Sequence, residues 1–171
     1  MREWVKRYRE DKSEPFVGSG NLRKDAKSMK LMMEFLYEQF KNENVDYVAG
    51  IESRGFIFGA PLAEKLGVGF IPIRKPNKLP ADTIKESYSL EYGTDTIEMH
   101  SDAIKPGDRV VIIDDLLATG GTALAACNLI KKAKGEVVST AFIIELDPLK
   151  GGEKIRNKGF NVVSMLHYDL D

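Results

Sequence analysis

Val110-Val111-Ile112-Ile113-Asp114-Asp115-Leu116-Leu117-Ala118-Thr119-Gly120-Gly121-Thr122 opens with four branched apolar residues and no polar alternation. Such a run suits a strand buried on both faces, the pattern of parallel sheets in α/β proteins. The reading is a central strand that ends in two carboxylates. A Thr-Gly-Gly-Thr turn follows and opens an apolar, Ala-rich helix over residues 123–133. Ligands of open α/β sheets bind at the carboxyl ends of strands, where a loop meets a helix N-terminus. Glycines let that loop curl until successive N–H groups converge, and the helix dipole adds positive potential, so the turn Thr119-Gly120-Gly121-Thr122 forms a phosphate cup, to which Thr119 and Thr122 add hydroxyl donors. Asp114 and Asp115 alternate in direction, so at least one points into the mouth of the site. A carboxylate there repels a bare phosphate and suits sugar hydroxyls or an Mg²⁺ shell. The stretch therefore asks for a ligand with a sugar diol beside a phosphate. It lacks both the Gly-Lys-Ser/Thr of a P-loop and the Gly-x-Gly-x-x-Gly of a dinucleotide site.

The rest of the chain narrows the setting. Its 171 residues suit one domain, 1–171, with a well-buried core. Lys and Arg number 25 against 26 Asp and Glu, a net charge of -1, which argues against nucleic-acid or membrane binding. Any cationic site must be local. The single cysteine, Cys127, excludes an intramolecular disulfide and suits a reducing compartment. The N-terminus has no apolar signal core and no run approaches the ~20 residues of a membrane span, so the expectation is a soluble, cytoplasmic protein. His100 and His167 lie far apart in sequence without a cysteine cluster, which argues against zinc.

In chain order, residues 2–12 read as a short amphipathic helix, and residues 13–21, with Pro15, Gly18 and Gly20, as a loop. Met29, Met32, Met33, Leu36 and Phe40 form an apolar stripe on a helix from Asp25 to about Phe40. Strands are expected at 45–50, 68–73, 137–146 and 160–166, with helices at 55–66 and 148–157, and a weak edge strand at 94–99. Residues 74–92 hold two prolines and no apolar period before Tyr88, so they read as a lid loop rather than a core element. The alternation gives a mainly parallel twisted α/β sheet flanked by helices, with right-handed crossovers.

Three further pieces carry chemistry. Glu52-Ser53-Arg54-Gly55 repeats the theme of strand end, polar turn and helix start, and the Arg54 fork matches phosphate oxygens. Arg74-Lys75-Pro76-Asn77-Lys78-Leu79-Pro80 places three cations at a strand end. Each, ~4 Å from a phosphate oxygen, is worth ~4 kcal/mol at an effective dielectric near 20 before desolvation. Ser87-Tyr88-Ser89-Leu90-Glu91-Tyr92-Gly93 closes the lid with a carboxylate between aromatics, whose pKa would rise on closure into a range useful for proton transfer.

Together these pieces resemble the adenine phosphoribosyltransferase family, from about Asp46 to Tyr168, through the four stretches above and Leu149-Lys150-Gly151. The resemblance implies a type I phosphoribosyltransferase-like fold with a small N-terminal hood (1–28) and a long flexible lid loop (74–92). It implies transfer of phosphoribose from phosphoribosyl pyrophosphate to N9 of adenine, giving AMP and pyrophosphate with Mg²⁺ held mainly by substrate and water, in a homodimer serving purine salvage. Carried onto matching positions, Ala118 to Thr122 cup the 5'-phosphate, Asp114 and Asp115 take the ribose hydroxyls, and Ser53, Arg54, Arg74, Lys75 and Lys78 hold pyrophosphate. Glu91 manages the proton at adenine N7, the backbones of Leu22 and Lys24 read the base, and Leu116 lies against it.

The N-terminal stretch departs from the family pattern. Pro15-Phe16 lacks the intervening Asp, and Arg23 stands where an aromatic residue usually stacks on the base. Adenine is the expected base, with a 6-oxopurine (hypoxanthine, guanine or xanthine) the alternative. A non-catalytic regulator that senses phosphoribosyl pyrophosphate is a further alternative, disfavoured by the retained Glu91 and by the absence of a basic DNA-binding segment.

Overall fold

The structure is a computed structural model that describes residues 24–89 and 93–169. Helix α1 (Ala26–Phe40) starts at Asp25, whose carboxylate accepts the Ser28 N–H at 2.7 Å, a regular N-cap. Its stripe of Met32, Met33, Leu36 and Phe40 is buried, as the sequence spacing requires. Strand β1 (Tyr47–Ile51), helix α2 (Arg54–Leu66) and strand β2 (Gly69–Ile73) follow, then β3 (Thr83–Ser89) and β4 (Thr94–His100). The second half contains β5 (Arg109–Leu117), α3 (Gly121–Lys132), β6 (Glu136–Leu146), a 3-10 turn (Asp147–Leu149), α4 (Gly151–Arg156) and β7 (Val162–Tyr168).

Five strands form one parallel sheet in the order β2-β1-β5-β6-β7. Strand β5 lies in its middle because Val110, Val111, Ile112 and Ile113 are each fully buried and can be satisfied only between two apolar layers. Val110 and Ile112 join the core beneath α3, while Val111 and Ile113 join the core made with α1 and α2. Each such side chain contributes roughly 1.5–3 kcal/mol through the hydrophobic effect. Beyond the branched run β5 continues through both acids to Leu117, rather than stopping at Ile113, because Asp114, Leu116 and Leu117 still pair with β6.

The lid stretch differs from the sequence reading. Its second half, Thr83 to Ser89, is a strand antiparallel to β4, in a separate two-stranded sheet. This hairpin packs against α3: Lys132 reaches the Lys85 carbonyl at 2.7 Å and Glu86 at 3.1 Å, and Asn128 reaches Glu86 at 3.3 Å. The inward side chains of β3 are Ile84, Glu86 and Tyr88, half-buried, so a polar residue breaks the apolar alternation that would have revealed the strand.

Candidate functional site

Helix α2 is drawn close to the end of β5 by glycine. A Cβ placed on Gly55 would lie 2.6 Å from the Ile113 carbonyl oxygen and 3.4 Å from Asp114 Cα, so only glycine lets the Ser53-Arg54 turn sit beside the two acids. The Glu52–Ser53 peptide bond in that turn is cis. On the other side of β5, the 118–122 loop turns through Gly120 at φ +77° and rests on Gly151, where an added Cβ would meet the Ala118 carbonyl at 2.1 Å. The loop leads directly into α3, and Gly120, as its N-cap, brings no side chain to the helix's first N–H groups. Such amides are open to an anion.

A cavity of about 200 Å³ opens between these turns, lined by Arg54, Asp114, Leu116, Leu117, Ala118 to Thr122, Ala123 and Phe142. A larger cavity of about 380 Å³ lies between the end of α1 and the starts of β6 and β7, with no glycine loop or helix N-terminus in its wall. The smaller one gathers a guanidinium, a carboxylate and the glycine loop in one wall.

The two acids part company. Asp114 lines the cavity, with one carboxylate oxygen accepting the Asp115 N–H at 2.8 Å. Burial pushes its carboxyl up to about 7, and the charge of Asp115 adds to the rise, while the Asp115 N–H and the Arg54 guanidinium offset only part of it. Asp115 is 2% exposed and accepts the Arg54 Nε–H at 2.9 Å. The rest of Arg54 is open, its side chain 57% exposed.

The lid cations are also paired with acids. Arg74 donates from Nε to Glu52 at 2.9 Å and from NH1 to the Lys78 carbonyl at 3.2 Å, and its guanidinium lies 5.8 Å from the Phe56 ring centre. Lys75 is bonded to Asp95 and donates to the Tyr88 hydroxyl at 3.1 Å. Lys78 is exposed. Buried Glu98 organises the turn between, accepting from the Asn77 N–H at 2.9 Å and from Thr83 at 3.3 Å, with Lys85 3.3 Å away. Tyr88 reaches the 118–122 loop: a Cβ on Gly121 would touch its ring at 3.5 Å.

One wall set thus gathers Arg54, Asp114, Leu116 and the loop from Ala118 to Thr122. Ser53, Arg74, Lys75 and Lys78 stand around the neighbouring strand ends of β1 and β2, outside that lining. Lys24 is exposed just before the N-cap of α1. Leu22, Arg23 and Glu91 lie outside the described residues. Sequence reading missed the internal partners Asp95 and Tyr88 and the supporting wall residues Phe142 and Gly151. Asp95 announces itself only once β3 and β4 are paired, because Tyr88 and Asp95 are then directly opposite. His167 stands at the end of β7, with Nδ1 2.8 Å from Asp147 and 3.9 Å from buried Glu145. Among the described residues no helix is long and apolar enough to cross a membrane.

The phosphoribosyl transferase domain family matches residues 19–169. An adenine phosphoribosyltransferase of Clostridium perfringens is 54% identical over 146 residues, 85% of this chain and 84% of that one. A crystal structure of adenine phosphoribosyltransferase from Thermoanaerobacter pseudethanolicus aligns with a TM-score of 0.82 at 48% identity, covering 86% of this chain and 84% of that one. The Saccharomyces cerevisiae adenine phosphoribosyltransferase, solved with an imino-altritol bisphosphate and adenine, aligns with a TM-score of 0.78 at 39% identity, covering 85% and 83%.

Proposed function

The chain belongs to the phosphoribosyl transferase family, among its adenine phosphoribosyltransferases, and from that premise we propose how its residues carry the reaction. Phosphoribose passes from phosphoribosyl pyrophosphate to adenine, giving AMP and pyrophosphate. The observation that carries the reading is the cavity whose wall combines an open helix N-terminus, a carboxylate and a guanidinium, the three groups that a phosphate, a ribose diol and a leaving anion require.

Ala118, Thr119, Gly120, Gly121 and Thr122 take the 5'-phosphate on their N–H groups and hydroxyls. Asp114, in its ionised form, accepts hydrogen bonds from the ribose hydroxyls. Asp115 acts through Arg54, fixing the guanidinium by its Nε and leaving its remaining donors for pyrophosphate. Ser53, Arg74, Lys75 and Lys78 complete that anion site. As the bond from C1' to the pyrophosphate oxygen breaks, its electron pair leaves with pyrophosphate, and positive charge grows on the ribose until adenine N9 closes on C1'. Holding both ends of the substrate rigidly and stabilising the departing anion lowers that barrier. Glu91 manages the proton at adenine N7. The backbones of Leu22 and Lys24 meet the 6-amino group and N1 of the base, with Leu116 against its face.

The donor set fits Mg²⁺ carried in with the substrate, because Asp114 is a single carboxylate beside the 118–122 loop and would complete a shell made by substrate and water rather than form one. Carried in with the substrate, Mg²⁺ would neutralise part of the pyrophosphate charge. A cytoplasmic homodimer completes the proposal. It is tested by offering phosphoribosyl pyrophosphate and Mg²⁺ with adenine, hypoxanthine and guanine in turn. Adenine should win in kcat/KM by roughly tenfold to several thousandfold, since each buried mismatch with a 6-oxopurine costs about 1–3 kcal/mol. Equal values, or a preference for a 6-oxopurine, would overturn the base assignment.

A further inference from the structure

We propose that Asp95 is an internal counter-ion that competes with pyrophosphate for Lys75, and thereby sets how tightly that product is held. The inference rests on the assignment of Lys75 to the pyrophosphate site above. The register of β1 and β2, which pairs Ile51 with Ile73, carries Arg74 and Lys75 alongside Glu52 and Ser53 at the mouth of that site. Lys75 nonetheless does not extend into it. Its ammonium is bonded to Asp95 and to the Tyr88 hydroxyl at 3.1 Å, and lies 5.6 Å from the Tyr88 ring centre.

The clasp is built into the hairpin. Tyr88 and Asp95 face each other across β3 and β4, and the Tyr88 hydroxyl donates to the same Asp95 oxygen at 3.1 Å. Asp95 also accepts the Thr96 N–H at 2.8 Å, so the carboxylate is fixed before Lys75 arrives. Burial opposes the charge on Lys75, yet the bonds to Asp95 and Tyr88 hold its ammonium above the ordinary lysine value, while Lys75 holds Asp95 below the ordinary aspartate value. An ammonium so engaged attracts a second anion weakly, because the pair is nearly neutral from a distance. Pyrophosphate must either draw Lys75 away from Asp95 or bind beside an uncancelled carboxylate. Either route weakens its hold, and removing the Asp95 charge should therefore tighten pyrophosphate binding. Ordinary damage to the hairpin would loosen it. Asp95 is a positioning residue, since it touches Lys75 and not the substrate.

The experiment measures pyrophosphate with Mg²⁺, and AMP separately, by calorimetry on the full chain. Asp95→Asn should bind pyrophosphate about fivefold more tightly, the scale of one half-exposed ion pair, with AMP affinity unchanged. The KM for phosphoribosyl pyrophosphate should fall without a rise in kcat. In a Lys75→Met background the same Asp95→Asn change should have no effect. Tyr88→Phe keeps the ring against Gly121 and deletes only the hydroxyl, so it should tighten pyrophosphate in the same direction if Asp95→Asn does not fold. Unchanged or weaker pyrophosphate binding in these folded variants overturns the proposal, as does tightening that persists without Lys75. A wild type that forms AMP while its variants show no tightening refutes only the role of Asp95; one that neither forms AMP nor binds pyrophosphate refutes the site assignment with it.

Discussion

Replacing Asp114 by asparagine should make the folded protein more stable at pH 8 while weakening its hold on the ribose. The folded pKa of this carboxyl is about 7, against an ordinary value of 3.8. Between those two values the native chain binds more protons than the unfolded chain, so stability declines as pH rises from about 4 towards 7, and the full penalty applies above that. At roughly 1.4 kcal/mol per pK unit the ceiling is on the order of 4 kcal/mol. The two adjacent acids share it, so a measured gain of about 2–3 kcal/mol is expected. Asparagine is nearly isosteric and keeps an oxygen to accept the Asp115 N–H, which donates to the Asp114 carboxylate at 2.8 Å in the wild type. Urea unfolding of both proteins at pH 4, 6 and 8 should show the variant's advantage growing across that series. Calorimetry with AMP from pH 5.5 to 8.5 supplies the functional half. Wild-type affinity should fall by up to about tenfold per pH unit below 7, as the ribose demands the ionised carboxylate, whereas the variant should bind weakly without that slope. The titration of the AMP phosphate is common to both proteins and cancels in their difference. A variant less stable than wild type at pH 8, or a stability difference that does not change between pH 4 and 8, would refute the assignment of a buried, charge-averse carboxylate at the mouth of the site.

Gly55→Ala should destabilise the chain by about 1–3 kcal/mol in urea unfolding, despite alanine's better helix propensity, because its Cβ would lie 2.6 Å from the Ile113 carbonyl of the central strand; no loss of stability would mean that α2 can retreat freely. Glu91→Gln should lower single-turnover AMP formation by roughly 10²-fold or more while leaving the affinity for phosphoribosyl pyrophosphate nearly intact. Normal turnover in that variant would assign the proton at N7 to another group.

Much of this arrangement could be read in the chain, and the reasons differ from part to part. Strand β5 was legible because four branched residues in a row have no stable place except between two apolar layers, and Val110 to Ile113 are fully buried there. The turn at 118–122 was legible because a glycine pair between a strand and a helix has a backbone meaning that does not depend on tertiary contacts; Gly120 does adopt a positive φ. Strand β3 was hidden because Glu86 occupies an inward position and is satisfied by Asn128 and Lys132, partners more than 40 residues away. The division of labour between Asp114 and Asp115 was half visible. Alternation along a strand requires them to diverge, but only the approach of α2 through Gly55 determines which one meets Arg54.

The resting site keeps its positive charges and its phosphate cup in different ways. Arg54, Arg74 and Lys75 each have an acid of their own, in Asp115, Glu52 and Asp95. Two unpaired cations about 5 Å apart would repel by roughly 3 kcal/mol at an effective dielectric of 20, a large share of the stability of a small domain. Internal counter-ions remove that strain and let a chain of net charge -1 hold three cations at one end of a sheet. Under the proposed assignment the same pairing makes pyrophosphate an exchange partner, which must offer each cation more than the acid it leaves. The 5'-phosphate in the proposed assignment meets a different surface, since the N–H groups at the start of α3 are dipoles that need no counter-ion and are held in place by the helix itself. On the proposed assignment the anchoring end of the substrate is therefore bound by a preorganised cup, and the end that must leave by groups with somewhere else to go.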